Sequence, residues 1–276
     1  MGISASQVNE LRKATGAGIL DCKKALEETS GNMEAAIDFL RKKGQKISDK
    51  RADRESNEGV VIALTTADSK KGIVVEVNCE TDFVAKNSDF VAFAQSIADV
   101  ALQNFPANKE DLLATDLNGV TIQNQILDQM AKIGEKIVIS NYDHLEAENV
   151  VSYIHSGNKI GVLAALTVAG DAASQAGKDA AMQIAAMRPL AVSKEGIAAE
   201  VIDREMAIAK EQIAAEGKPE NLVEKIAMGK LNKFFKENTL LSQSFVKDPS
   251  QTVEAMLKSV DSGLTVTQFK RLGIGA

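Results

Sequence analysis

A strand–strand–helix pattern occurs twice in this chain, and no other feature narrows the possible folds as much. GVVIALTT (59–66) and GIVVEVN (72–78) are short β-branched runs joined by a polar turn containing Asp68, Ser69 and Lys70. Runs of that composition, bounded by turn residues, predict a β-hairpin. A helical pattern follows, with Phe90, Phe93, Ala94, Ile97, Ala101 and Leu102 on one face. The second half repeats the layout with VVSYIHS (150–156), KIGVLAALTVAG (159–170) and the helix KDAAMQIAAM (178–187), which ends at Pro189. Gly72 and Gly161 fall at matching places, as do Ile97 and Ile184. The pattern predicts an α+β fold built on two pseudo-repeated core subdomains with antiparallel sheets.

The flanking segments read as helical. Residues 1–44 predict three short helices: Val8 and Leu11 mark one apolar face, and Gly16 and Gly18 break it. Asn32 is placed to cap the third helix, and Gly44 to stop it. From Arg41 to Arg54 there are seven basic residues against two acidic ones, net +5. Such a run reads as a solvated linker or helix, or as electrostatic guidance toward an acidic partner face. Residues 106–135 look helical and end in KIGEK; KIVISNY (136–142) returns to strand. Beyond Ser193, Ile202, Met206, Ala209 and Ile213 form a narrow coiled-coil-like stripe, broken at 216–219 and followed by a second helix to about Lys236. The short turn predicts an antiparallel helical hairpin with a stripe thin enough to project from the body, the alternative being two ordinary packed helices. Pro249 precedes another short helix, and LTVTQFKRL (264–272) has the composition of an edge strand. The expected division is 1–55 for a three-helix domain and linker, 56–148 for the first core subdomain, and 149–276 for the second, with the hairpin at about 194–237.

Composition removes several functions. With 32 Lys and Arg against 38 Asp and Glu, the formal charge is −6, and aromatics make up only 4%. Neither the basic footprint nor the stacking platform of a nucleic-acid binder is present. Cys22 and Cys79 form no CxxC motif, and His144 and His155 are the only histidines. A zinc site or Cys/His nucleophile would have to be assembled across separate subdomains. GAGILD (16–21) lacks the third glycine and the preceding strand of a dinucleotide fingerprint, and no GxxxxGK[ST] occurs. The longest apolar stretch, 160–170, is too short to span a bilayer, and the N-terminus has no signal-peptide pattern. The chain therefore reads as cytoplasmic. Acids are plentiful, so an enzyme using two carboxylates stays open, although no spacing singles out a pair.

The segment VEVNCETDFVAKN (75–87) carries the most specific chemistry. Asp82 and Phe83 follow a strand-like run in a short polar loop. Either Thr81 or Asp82 caps the next helix and Phe83 fills the core, or Phe83 is exposed and buries itself in a partner, worth about 1.5–3 kcal/mol. His155 ends a strand, and read from the sequence it is a strand-end histidine with a satisfied ring. Ile19 and Leu20 are consecutive apolar residues, and a helix cannot bury both equally.

TGAGILDCKKAL (15–26), ETDFVAKN (80–87), KIGEK (132–136), HSGNKIGV (155–162) and KGQKISDKR (43–51) occur in the order found in the elongation factor Ts family, which the chain resembles over nearly its whole length. The resemblance implies a ubiquitin-associated-like three-helix domain, two core subdomains and a helical hairpin. It implies a guanine-nucleotide exchange factor for the translational GTPase elongation factor Tu, without covalent chemistry, cofactor or metal of its own, and with neither nucleic acid nor membrane as a direct partner. It carries partner-binding roles onto Arg12, Ile19, Leu20 and Lys23 of the first domain, onto Asp82 and Phe83 near the partner's magnesium and phosphate site, and onto Ile133, Gly134 and His155. Family members often have two methionines where Ile19 and Leu20 stand, and asparagine at Lys136. Residues 103–131 match poorly, and the extra C-terminal helical module of some members is short or missing. The rival is a non-catalytic scaffold that recruits a partner through the three-helix domain.

Overall fold

The computed structural model describes residues 2–216 and 219–275. The chain starts with three helices, α1 (Ala5–Thr15), α2 (Ile19–Glu28) and α3 (Met33–Lys50). Ser4 and Gln7 form a reciprocal capping box on α1, and the Asn32 side chain accepts the Ala35 N–H at the start of α3. Val8, Leu11, Cys22, Ala25, Leu26, Ala36 and Leu40 make a small shared core.

Gly44 does not stop α3, contrary to expectation. A Cβ built there would lie 2.1 Å from the Leu127 carbonyl oxygen. The glycine is needed for close approach of two helices, and α3 runs through it to Lys50. The basic run is thus largely helical and leans on the core.

The first core unit holds β1 (Glu58–Thr65), β2 (Lys71–Cys79), the single-turn helix α4 (Asp82–Ala85) and α5 (Ser88–Asn104). Next come α6 (Lys109–Ala114), the two-residue strands β3 (Asp116–Leu117) and β4 (Val120–Thr121), α7 (Ile122–Ile133) and β5 (Val138–Glu146). Residues 106–135 are therefore two helices separated by a tiny hairpin. Its Asn118-Gly119 turn has both residues at positive φ, a turn signal inside an otherwise helical pattern. The second unit comprises β6 (Asn149–His155), β7 (Ile160–Leu166) and α8 (Asp171–Met187). It continues through α9 (Ala199–Ala215), α10 (Glu220–Asn238), β8 (Ser244–Phe245), β9 (Asp248–Thr252), α11 (Val253–Val260) and the edge strand β10 (Val266–Gly273).

The repeat is more complete than the sequence suggested. The sheets run β1-β2-β5 and β10-β7-β6, all antiparallel, so in each a hairpin is followed by a helix and a third strand beside the hairpin's second. Alternation along the strands explains why both hairpins are continuously apolar. Ile73, Val75 and Val77 face α5 and α7, whereas Val61 and Val74 face the other sheet. Val162, Ala164 and Leu166 face α8 and α11, whereas Leu163 and Ala165 face the first sheet. The result is four layers, helix–sheet–sheet–helix. The matching glycines serve the central interface reciprocally. A Cβ on Gly72 would meet Val150 and Leu163, and one on Gly161 would meet Val61 and Val74.

α8 begins at Asp171, seven residues before the segment read as helical. Its small residues let it lie close to the second sheet; a Cβ on Gly177 would sit 2.5 Å from Leu166 Cδ1. α9 and α10 form the antiparallel hairpin, with a core of Ala209, Ile213 and Ala227 separate from the others, and Lys210 pairs with Glu224 at 2.6 Å. Its two helices pack chiefly on each other. The breaker at 216–219 falls partly on Gly217 and Lys218, outside the described residues. The hairpin base is fastened where Leu190 N–H donates to Asn238 O and Leu240 N–H to Ala191 O.

Candidate functional site

The strand β2 ends at Cys79, and the chain must turn before α5. Thr81 starts α4 by accepting the Val84 N–H on its hydroxyl, and Asn87 caps α5 through the Asp89 N–H. A single helical turn buries one face. Ala85 takes that face, which leaves Phe83 pointing outward and 83% exposed. Each alternative from the sequence holds in part: Thr81 is the cap, but Phe83 is outside the core. Asp82 accepts a hydrogen bond from Lys86 Nζ at 2.6 Å, and that bond holds its carboxyl below the usual carboxylate range.

The α4 turn is clasped from two sides. The Glu135 carboxylate accepts the Thr81 hydroxyl (2.7 Å) and the backbone N–H groups of Thr81 (3.1 Å) and Glu80 (3.2 Å). In return, Glu80 accepts the Lys136 N–H (2.7 Å) and the Arg51 guanidinium (2.6 Å to each oxygen). Burial works against ionisation of Glu80, but the Lys136 and Arg51 bonds outweigh it and lower its pKa. Lys136 Nζ also donates to the carbonyls of Ala52 and Arg54. The end of α3, the α4 turn and the turn after α7 are thus joined by charge-assisted bonds.

Gly134 ends α7 at φ +82, donating to Met130 O at 2.8 Å, and Ile133 is half-buried against the first core. A Cβ on Gly16 would lie 3.5 Å from the Lys132 side chain, so the α1–α2 turn adjoins the same segment. Gly16 and Gly18 cap α1 and α2, and Ile19 and Leu20 open α2 on its outer side, 52% and 78% exposed. With Val8 and Lys23 they line an open depression of about 330 Å³. Arg12 is exposed in the last turn of α1, and Lys23 lies 3.8 Å from Glu27.

His155 is exposed at the end of β6, stacked on Tyr153 with its Nδ1 2.9 Å from the Tyr153 hydroxyl. Its hairpin is tied to the first sheet by Val61 N–H donating to Asn158 O (2.7 Å) and by Lys159 with Glu58 (2.5 Å). Glu58 is the register partner of Cys79, so the hairpin lies at the sheet end from which α4 emerges.

The cysteines are buried in different cores. Burial pushes Cys79 up to about 12 and raises Cys22. Among the described residues no group of three or more His, Cys, Asp and Glu side chains is placed to hold a metal ion. None of their helices is long and apolar enough to cross a membrane.

A family model described as elongation factor TS matches residues 80–276, from the clasped turn onward. Elongation factor Ts of Christiangramia forsetii is 50% identical over 273 residues, 99% of either chain. That of Flavobacterium psychrophilum is also 50% identical over 273 residues, with the same coverage, and that of Amoebophilus asiaticus is 50% identical over 277 residues, the whole of both chains. This chain belongs to the elongation factor Ts family. As a member of the elongation factor Ts family it is a translation elongation factor. Sequence reasoning missed the clasp residues Arg51, Glu80 and Glu135. The available signal was an acid at the end of a strand and another just past a helix-ending glycine, each placed to receive backbone N–H groups.

Proposed function

We propose that this chain is a guanine-nucleotide exchange factor for elongation factor Tu, acting in the cytoplasm by inserting the Asp82-Phe83 turn beside the partner's magnesium and phosphate site. The observation that carries this reading is a large ring, 83% exposed, on a turn held by the Glu135 and Glu80 carboxylates. An exposed apolar residue on a mobile loop would lose entropy when it docked; a braced one loses less. Membership of the elongation factor Ts family supports the same partner.

Exchange needs no covalent step. The factor must bind the nucleotide-free partner better than the nucleotide-bound one, and linkage makes the nucleotide weaken the factor equally. Phe83 displaces the elements that hold magnesium, Asp82 helps reposition them, and the grip on the phosphates loosens. Arg12, Ile19, Leu20 and Lys23 hold the partner's nucleotide-binding domain through the exposed apolar pair of α2. Ile133 and Gly134 bear on that domain beside Phe83, and His155 and the helical hairpin on other surfaces. Residues 1–55, 56–148 and 149–276 serve as the corresponding units.

Stopped-flow release of a fluorescent GDP from elongation factor Tu tests this. Strong acceleration by the chain and little by Phe83→Ala is the expected result. Acceleration by both would return Phe83 to a passive contact. Tight binding of elongation factor Tu without acceleration would favour a scaffold.

A further inference from the structure

A second candidate interaction surface lies on the three-helix unit, where α2 meets α3, next to the α2 residues Leu20 and Lys23 described above. α2 and α3 enclose a groove of about 500 Å³. Phe39 and Leu40 form its apolar floor, and Lys24, Lys42, Lys43 and Lys46 stand around it. Asp21 also lines the groove, but Lys43 neutralises it at 2.6 Å. Among the described residues, Lys24, Lys42 and Lys46 have no carboxylate within ion-pair distance. Four cations around one groove are unusual in a chain of net charge −6. On α3, Gly44 meets Leu127, whereas Phe39, Lys42, Lys43 and Lys46 follow the i, i+3, i+4, i+7 spacing of another face; Leu40, four residues before Gly44, is buried in the three-helix core and contributes only the back of the floor.

We propose that this groove binds an acidic amphipathic helix of a protein partner, with an apolar anchor over Phe39 and Leu40 and carboxylates against Lys24, Lys42 and Lys46. Lys42 and Lys46 are one helical turn apart, which matches acids spaced i and i+4 on a docked helix. The apolar floor and unpaired rim together give the charge complementarity that selects an acidic partner. A phosphate backbone fits less well. The groove has no arginine fork for bidentate phosphate contacts, and its floor is shaped for an apolar side chain.

The test is fluorescence anisotropy of the full chain with a fluorescein-labelled helical peptide bearing leucines at i, i+3, i+4 and i+7 flanked by glutamates. Saturable binding that weakens with salt is expected. The variant with both Lys42→Glu and Lys46→Glu should bind about tenfold or more weakly. Both lysines are solvent-facing, so an unchanged melting curve establishes that the variant is folded. A milder Lys42→Gln, Lys46→Gln variant should fall between the two. The peptide with glutamine in place of glutamate should bind as weakly as the charge-reversed variant. No saturable binding, or equal binding by the charge-reversed variant, overturns the proposal. Displacement of the peptide by a tighter-binding oligouridine assigns the groove to RNA and overturns it as well. Exchange on elongation factor Tu should be unchanged in the charge-reversed variant; its loss would make the groove part of the first surface and overturn the proposal.

Discussion

Phe83 and Gly44 separate binding from folding at the level of single residues. Phe83 makes no core contact, so Phe83→Ala should change stability by no more than about 0.5 kcal/mol. If the ring is buried in the partner, its loss should slow exchange roughly ten- to hundredfold, the equivalent of about 1.5–3 kcal/mol of buried side chain. Paired melting curves and GDP-release rates read the two effects independently. Gly44→Ala should do the reverse. Its Cβ meets backbone, which cannot rotate away, so helices must separate at a cost of about 1–3 kcal/mol or more, visible as a lower denaturant midpoint. Cys79 is the third case. Burial, then the Glu135 charge, push its thiol up to about 12, so it should resist thiol reagents at neutral pH until denaturant exposes it.

At the level of elements, the clasp decides whether α4 holds Phe83 in one place. Glu135→Ala would leave the Thr81 hydroxyl and two N–H groups without their acceptor, a loss of about 1.5–3 kcal/mol. Exchange should fall while Phe83 itself is intact, and Glu135→Gln, which keeps one acceptor oxygen, should recover part of it. The pH dependence follows from Glu80. Its folded pKa is depressed, so its stabilisation is fully present above the ordinary value near 4.5 and fades as pH falls through the folded value. The stability gap between wild type and Glu80→Gln should therefore be constant near neutrality and shrink as the pH falls below the ordinary value near 4.5. Denaturant titrations across that range check the sign. None of this could be read from periodicity. Glu80 and Glu135 look like two ordinary acids until the backbone N–H groups they receive are brought beside them from 54 to 56 residues away.

For the whole molecule, the four-layer stack brings α1–α2, the α4 turn and the end of α7 together and places the His155 hairpin at the sheet end from which α4 emerges. Both hairpins, α5, the edge strand and the α9–α10 stripe were legible because two-residue and 3.6-residue periods are local properties. Boundaries failed where a local signal served a distant contact. Gly44 looked like a stop but lets α3 reach Leu127, and the small residues ahead of the segment read as helical turned out to belong to α8 and let it approach its sheet. The sequence alone determined the strand–strand–helix repeat, the apolar alternation and the motifs ETDF and KIGEK, since each depends on neighbours along the chain. Only the tertiary structure decided that Phe83 is exposed and that Arg51, Glu80 and Glu135 brace it. It also brought Gly72 and Gly161 to opposite sides of one interface. Exposure and pairing depend on which distant atoms reach a residue, and no run of adjacent letters contains that information.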